Sequence, residues 1–358
     1  MNIMEKITAT SASKQLPIIV PDGFNSEEFL TYFLSMEASV PTAETERISK
    51  EIISIVENGL CGAVIAGEPR IGKTRMTKIA TKKLRERFGM VLPVYTWICS
   101  ERSAKTDKAF YTELLRAFDF PAPSKRDTAL DMKLRLINAI KIDAERTKSR
   151  KVVLFVDEAQ RLERKDFNWL ISLYNELDAE DSRLIVFLVG QIQDMRVLFS
   201  KLRKEKQNQI IGRFFTRFFD YHGIVDAKSL LYLLLSIDAN TQYSFDGKQI
   251  VVSRDLFPRS YDKQTGLAAL QASLWTAFTE VDKKYGIRTT EIPMEYMMVT
   301  VKDIIRHYSI IGDVPEASLG VFPGVSEIIR CIEESGYQYY AGAFTELEGN
   351  GDVFEKRA

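Results

Sequence analysis

The most constraining stretch of the chain is CGAVIAGEPRIGKTRM, residues 61–76. A short run of apolar residues ends in glycine and passes through a loop. It continues as KTRMTKIATKKLRERFG, which has helical spacing and stops at Gly89. A segment apolar at nearly every position suits a strand buried on both faces, and such strands belong to parallel sheets covered by helices on both sides. The loop between strand and helix fits G-x-x-x-x-G-K-[ST] through Gly67, Gly72, Lys73 and Thr74. In this pattern the first glycine permits the sharp turn and backbone N–H groups at a helix N-terminus wrap phosphates. The lysine reaches the outer phosphates and the hydroxyl meets magnesium. The whole loop, Gly67, Glu68, Pro69, Arg70, Ile71, Gly72, Lys73, Thr74 and Arg75, is therefore expected to bind nucleotide. Pro69 and Arg70 fall in its variable stretch, and Arg70 is expected to point outward.

The rest of the first two thirds repeats the alternation. ETERISKEIISIVENG places Ile48, Ile52, Ile55 and Val56 on one helical face and ends at Asn58-Gly59. VLPVYTWICS reads as a second strand, DKAFYTELLRAFDFP as a helix stopped by Pro121, and TALDMKLRLINAIKIDAERT as a longer helix. KVVLFVDEA is a third strand, followed by helix KDFNWLISLYNELD and strand SRLIVFLVGQ. This order predicts an α/β fold, a parallel sheet sandwiched by helices, over residues 43–225. Residues 226–344 read as a mainly helical region, through SLLYLLLSI, GLAALQASLWTAFTEVDKKYG and VSEIIRCIEESGYQYYAG, with VTVKDIIRHY unassigned. Residues 1–42 are expected to form an arm and 345–358 a mobile tail. In that tail Val353 and Phe354 have no evident core to enter and are candidates for partner contact.

Composition narrows the function classes. Lys+Arg and Asp+Glu both number 49, so no global field draws the chain to nucleic acid or membrane, and any polyanion site must be local. Cys61, Cys99 and Cys331 are far apart in sequence and His222 and His307 are isolated, which indicates neither a disulfide framework nor a zinc cluster. The N-terminal MNIMEKITATSASKQ lacks a signal-like apolar run, and SLLYLLLSI is half the length of a membrane span, so a cytoplasmic protein is expected.

A phosphate loop needs a second half, a buried strand ending in acid. KVVLFVDEAQ provides it: Asp157 is expected to hold the metal with Thr74, and Glu158 to polarise the attacking water. Gln191, at the end of LIVFLVGQ, suits a sensor that orients water or the γ-phosphate. Arg213 and Arg217, in IIGRFFTRFFDYHGI, precede the last strand of the sheet. Either is placed to enter a neighbouring subunit's site and neutralise charge on the transferred phosphoryl group.

Phosphate loop, Asp-Glu strand, sensor strand, arginine element and helical region, in that order, resemble an AAA+ ATPase. The DKAFYTELLRAFDFPAP insertion, VDEAQRL and NELDAEDSRLIVFLVGQ are similar to the branch containing the transposition regulators TnsC and TniB, the secretion ATPase ExeA and origin-recognition initiators. The resemblance covers residues 42–225. It implies ATP and Mg2+ as ligands, self-assembly into a ring or filament on duplex DNA, and recruitment of a transposase with a target-selector protein of TniQ type. It further implies backbone contacts to DNA from the segment after the second strand, where Arg102, Lys105, Lys108, Lys125 and Arg126 are candidates. RTKSRK and KLRKEK read as solvated faces. Departures from the pattern are equally visible. No arginine falls where a second sensor is expected, Arg330 lying six residues beyond Gly324, no membrane span of the ExeA kind is present, and no winged helix is evident. A replication-initiator-type ATPase and a nucleotide-dependent signalling or defence scaffold stay open as alternatives.

Overall fold

The computed structural model describes residues 40–101, 106–147, 149–240, 244–245 and 247–341, with Asn25, Glu28, Phe29 and Thr31. The tail expected at 345–358 lies outside these residues, as does almost all of the arm expected at 1–42. Two compact units divide the chain: one holds Glu37–Ser229 with Thr290–Met297, the other the described residues of Leu230–Thr289 and Met298–Ala358.

The first unit is built on a sheet of β1 (Gly62–Gly67), β2 (Val94–Ile98), β3 (Lys151–Asp157), β4 (Arg183–Gln191) and β5 (Phe218–Asp220). All pairings are parallel and the order is β2-β3-β4-β1-β5. The apolar runs are explained by the period-2 pleat. Ala63 and Ile65 face one side of β1 while Val64 and Ala66 face the other, and Ile185, Phe187 and Val189 of β4 oppose Leu184, Val186 and Leu188 in the same way. One face is covered by α1 (Ala43–Asn58) and α2 (Lys73–Phe88), which bury Ile48, Ile52, Ile55, Val56, Met76, Ala80 and Leu84 against it. The other carries α3 (Asp107–Ala117), α4 (Ala129–Glu145), α5 (Arg164–Asp178), α6 (Ile192–Lys204) and α7 (Asn208–Phe214). The expected sandwiched parallel sheet is thus the observed one. Caps set the helix ends: Thr42 accepts from Thr45 N at 3.0 Å to start α1, and Gly59, at φ 61°, closes it.

The second unit continues α8 (Ala227–Asn240) from Leu230 and includes a short hairpin, β6 (Ser244–Phe245) with β7 (Lys248–Gln249). α9 (Gln271–Tyr285), α10 (Met294–Tyr308) and α11 (Val325–Glu334) complete it, the first turn of α10 counting with the sheet unit. The unassigned VTVKDIIRHY lies within α10. GLAALQASLWTAFTEVDKKYG, expected as one helix, is divided: a 3-10 turn, Gly266–Leu270, leads into α9. Gly266 sits at φ 53°, a left-handed conformation that an α-helix does not pass through, and Leu267 N donates at 2.8 Å to the Asp238 carboxylate. VSEIIRCIEESGYQYYAG likewise breaks at Gly336, φ 80°, after α11. α6 and α7 were not anticipated at all.

Candidate nucleotide site

The site grows from the C-terminal ends of three adjacent strands. β4 lies between β1 and β3, so Gln191 emerges between the glycine loop and the acid pair, directly opposite Gly67 in the register. The loop needs its glycines for different reasons. A Cβ on Gly67 would meet Tyr221 O at 2.2 Å and Ile71 Cδ1 at 2.3 Å, so backbone approach excludes a side chain. Gly72 has room for a Cβ but adopts φ 95° as the N-cap of α2, a conformation L side chains avoid.

Lys73 is 8% exposed, and its Nζ donates to Gly67 O at 2.9 Å and to Glu68 O at 2.7 Å. Burial holds its ammonium below the ordinary lysine value of 10.5, while the charges of Glu158 and Asp157 pull in the opposite direction. Thr74 Oγ1 donates to Asp157 Oδ2 at 2.8 Å, and Asp157 is 5% exposed. A hydroxyl and a buried carboxylate in contact form the oxygen pair that Mg2+ takes when its other ligands are water and substrate phosphate. The residues present therefore fit magnesium-nucleotide, with Thr74 and Asp157 as the pair that would hold the ion. Among the described residues no group of three or more His, Cys, Asp or Glu forms a protein-only metal site.

Glu158 follows in the left-handed conformation, φ 56°, which re-aims the chain as it leaves β3. Its Oε2 accepts from Gln160 Nε2 at 2.8 Å, with Arg161 Nη2 at 3.8 Å. Gln160 is the residue sequence reasoning missed; its only signal was that VDEAQ places an amide two positions beyond Glu158. No hydrogen bond holds the Gln191 side chain among the described residues.

Arg70 does turn outward, yet its charge is not free. Its Nη1 donates to Glu295 Oε1 at 2.7 Å, its guanidinium lies 5.8 Å from the Tyr296 ring centroid, and its carbonyl accepts from Glu295 N at 3.1 Å. Met294 is the residue nearest Gly72's missing Cβ, at 3.8 Å. Met294, Glu295 and Tyr296 therefore lie along the glycine loop, Glu295 meeting Arg70 from 225 positions away in sequence, a placement no motif indicated. α1 is tied to the exit of β5: Thr45 and Tyr221 hydroxyls are 3.0 Å apart, and Arg47 Nη2 donates to Asp220 O at 2.6 Å. Burial pushes the Tyr221 phenol up to about 12.

The two arginines differ. Arg213 Nη2 donates to Asn175 Oδ1 at 2.8 Å and its guanidinium is 5.2 Å from the Tyr174 ring centroid, so α5 holds it within its own unit. Arg217 is exposed, with no side-chain hydrogen bond or ion pair among the described residues. Of the expected DNA-contact residues, Arg102 and Lys105 lie outside the described residues. Lys108 Nζ donates to Asp127 O at 2.8 Å and Lys125 O at 3.3 Å, bracing the loop before α4, and Lys125 and Arg126 are exposed.

Residues 59–199 match the AAA domain family. No curated protein matches the sequence. Solved structures similar to the chain include the Aeropyrum pernix ORC2 protein in ADPNP-ADP complexes, at 16% identity and TM-score 0.47, covering 82% of this chain and 67% of that one. Another is Drosophila ORC bound to AT-rich DNA and Cdc6, at 12% identity and TM-score 0.43, with 85% and 46% covered. A Walker-type ATPase of Pyrococcus abyssi is similar at 14% identity and TM-score 0.38, with 81% and 89% covered. The chain thus spans less than half of the Drosophila chain's length. Together with the β2-β3-β4-β1-β5 sheet and its loop, the domain match identifies the fold as the AAA+ P-loop fold, followed by a helical region.

Proposed function

We propose that the chain hydrolyses ATP to ADP and phosphate and uses that cycle to control its own assembly on duplex DNA. The observation that carries the ATPase reading is the 2.8 Å contact between Thr74 Oγ1 and buried Asp157 Oδ2, directly after the lysine of the glycine loop. In this reading the N–H groups at the start of α2 and the Lys73 ammonium bind the β- and γ-phosphates. Mg2+, when bound by Thr74 and Asp157, neutralises phosphate charge. Glu158 takes a proton from the attacking water as its oxygen bonds to the γ-phosphorus, and the bond to the bridging oxygen breaks, leaving ADP with that electron pair. Gln191 orients the water or γ-phosphate, and Arg217 of a neighbouring copy stabilises the charge that develops.

The DNA half of the proposal rests on the sequence resemblance and on Lys125 and Arg126, exposed cations of the kind that neutralise phosphates without reading bases. Both the transposition-regulator and the initiator-type reading require it. They differ in clients, a transposase with a TniQ-type selector in the first and a sequence-preferring initiation complex in the second. No described helix is long and apolar enough to cross a membrane.

The test is ATP-dependent sedimentation of the protein with duplex DNA of several sequences. Lys73→Ala is expected to abolish both ATP binding and co-sedimentation. Undiminished ATP binding by that variant overturns the nucleotide-site reading, and ATP binding without any DNA association in the parent protein overturns the DNA half. A strong preference for one sequence selects the initiator-type reading.

A further inference from the structure

We infer that Gln160 is a positioning residue that couples Glu158 to the exit of β4, and so joins water activation to the strand that carries Gln191. The inference rests on the ATPase reading above and deepens it. Gln160 Nε2 donates to Glu158 Oε2 at 2.8 Å, and Gln160 Oε1 accepts from Gln191 N at 3.3 Å. One amide thus joins two elements whose contact points are 31 residues apart in sequence.

The chemistry of the two partners dictates both the residue type and its orientation. A carboxylate only accepts and a backbone N–H only donates, so the bridge needs one side chain that offers a donor and an acceptor together. Glutamine does. Glutamate at this position would set a second carboxylate against Glu158, lysine could not accept from Gln191 N, and methionine would make neither bond well. The same complementarity fixes which way the amide is turned, because the flipped orientation would oppose donor to donor and acceptor to acceptor.

Steric evidence points the same way. Gly190 sits one residue before Gln191, and a Cβ there would lie 2.5 Å from Gln160 Oε1 and 2.8 Å from Met195 Cγ. Glycine at 190 is what lets the amide reach the strand end. Glu158 itself leaves β3 at φ 56° into the 3-10 turn Ala159–Arg161, which brings Gln160 back over its carboxylate. Acid and sensor strand are thereby connected by bonds that a shift of the β4 exit would stretch. A water-activating carboxylate must be aimed as well as basic, and misplacement by about 1 Å costs on the order of a hundredfold in rate.

The experiment compares steady-state phosphate release by the parent chain, Glu158→Gln, Gln160→Met, Gly190→Ala and the double variant Glu158→Gln with Gln160→Met, alongside binding of a fluorescent ATP analogue. Gln160→Met keeps length and volume, so its expected signature is specific: kcat falls roughly tenfold to a hundredfold while KM and analogue binding stay within about twofold. Gly190→Ala is expected to shift kcat in the same direction by displacing the amide. In the Glu158→Gln background Gln160→Met should add nothing, since the residue acts through a carboxylate already removed. A slow Glu158→Gln with a Gln160→Met at the parental rate overturns the coupling and leaves the ATPase reading standing. A Glu158→Gln at the parental rate overturns the assignment of the base itself. Equal further loss in the double variant would show that Gln160 acts independently of Glu158, which also overturns the inference.

Discussion

Both units of the molecule satisfy polar groups with carboxylates, but they do so to different ends. In the helical unit Asp238 accepts from Ser253 N at 2.9 Å, Ser253 Oγ at 2.7 Å and Leu267 N at 2.8 Å, pinning α8 to the two turns that follow it. Asp282 accepts from the fully buried Tyr337 hydroxyl at 2.9 Å, and burial raises that carboxyl above its usual range. These groups close on one another within the packing of the helical unit. In the sheet unit Asp157, Glu158 and Gln160 also bond one another, yet they stand together at the C-terminal edge of a sheet beside a loop of backbone N–H groups. Identical residue chemistry locks packing in one place and prepares a site in the other. The deciding factor is whether the elements around it converge on a strand edge.

Substitutions that remove function without unfolding, or the reverse, test that contrast. The largest expected effect belongs to Arg217→Ala, which should bind ATP but hydrolyse it on the order of a thousandfold more slowly, because each site would lack the neighbour's guanidinium. Mixed with Glu158→Gln, it should recover part of the lost phosphate release, since some junctions then pair an intact Glu158 with an intact Arg217. Strictly additive rates in confirmed mixed assemblies would exclude Arg217 as a residue acting across the junction. Next in size, Thr74→Ala deprives Asp157 and the metal of a hydroxyl and is expected to weaken magnesium-ATP binding roughly tenfold to a hundredfold, with Thr74→Ser restoring it. Calorimetric titration with and without Mg2+ checks this, and an effect equal in both would contradict it.

Asp238→Ala reverses the pattern. It strands two backbone N–H groups and the buried Ser253 hydroxyl and should destabilise the helical unit by about 2–3 kcal/mol, seen as a lowered thermal midpoint. ATP turnover well below that midpoint should stay within about twofold; a large loss of turnover would show that the two units do not divide structure from site as described. The smallest effect is expected for Arg70→Ala. Its partner Glu295 and Arg70 itself are each 49% exposed, so the pair contributes no more than about 1 kcal/mol. ATP affinity should change less than about fivefold, and less still in high salt. A loss as large as that of Lys73→Ala would place Arg70 on the phosphates rather than beside them.

How much of this was legible in the sequence depends on the range of the interactions involved. The glycine loop, the acid strand and the strand ending in Gln191 were legible because each is a local pattern: an apolar run with period 2 on both faces, a turn that only glycine tolerates, a polar residue at a strand exit. The helix from Ala43 to Asn58 could be outlined from Ile48, Ile52, Ile55 and Val56 for the same reason. Boundaries failed where the backbone left the helical region, as at Gly266, whose φ of 53° opens the expected helix with a 3-10 turn beside Asp238.

The sequence by itself determined the order of the sheet unit's strands and the fold class, and marked Lys73, Thr74, Asp157 and Glu158 as candidates, because steric limits on φ and ψ and the periodicity of apolar residues act over a few positions. Only the tertiary structure decided that Gln160 bridges Glu158 and Gln191 N, that Arg213 is held by Asn175 and Tyr174 while Arg217 is not, and that Met294, Glu295 and Tyr296 lie along the glycine loop. Apart from the bond between Gln160 and Glu158, the hydrogen bonds among these contacts join groups from 31 to 225 positions apart. Their partners are chosen by strand order and by hydrogen-bond complementarity at a converging edge, and no local pattern encodes that choice.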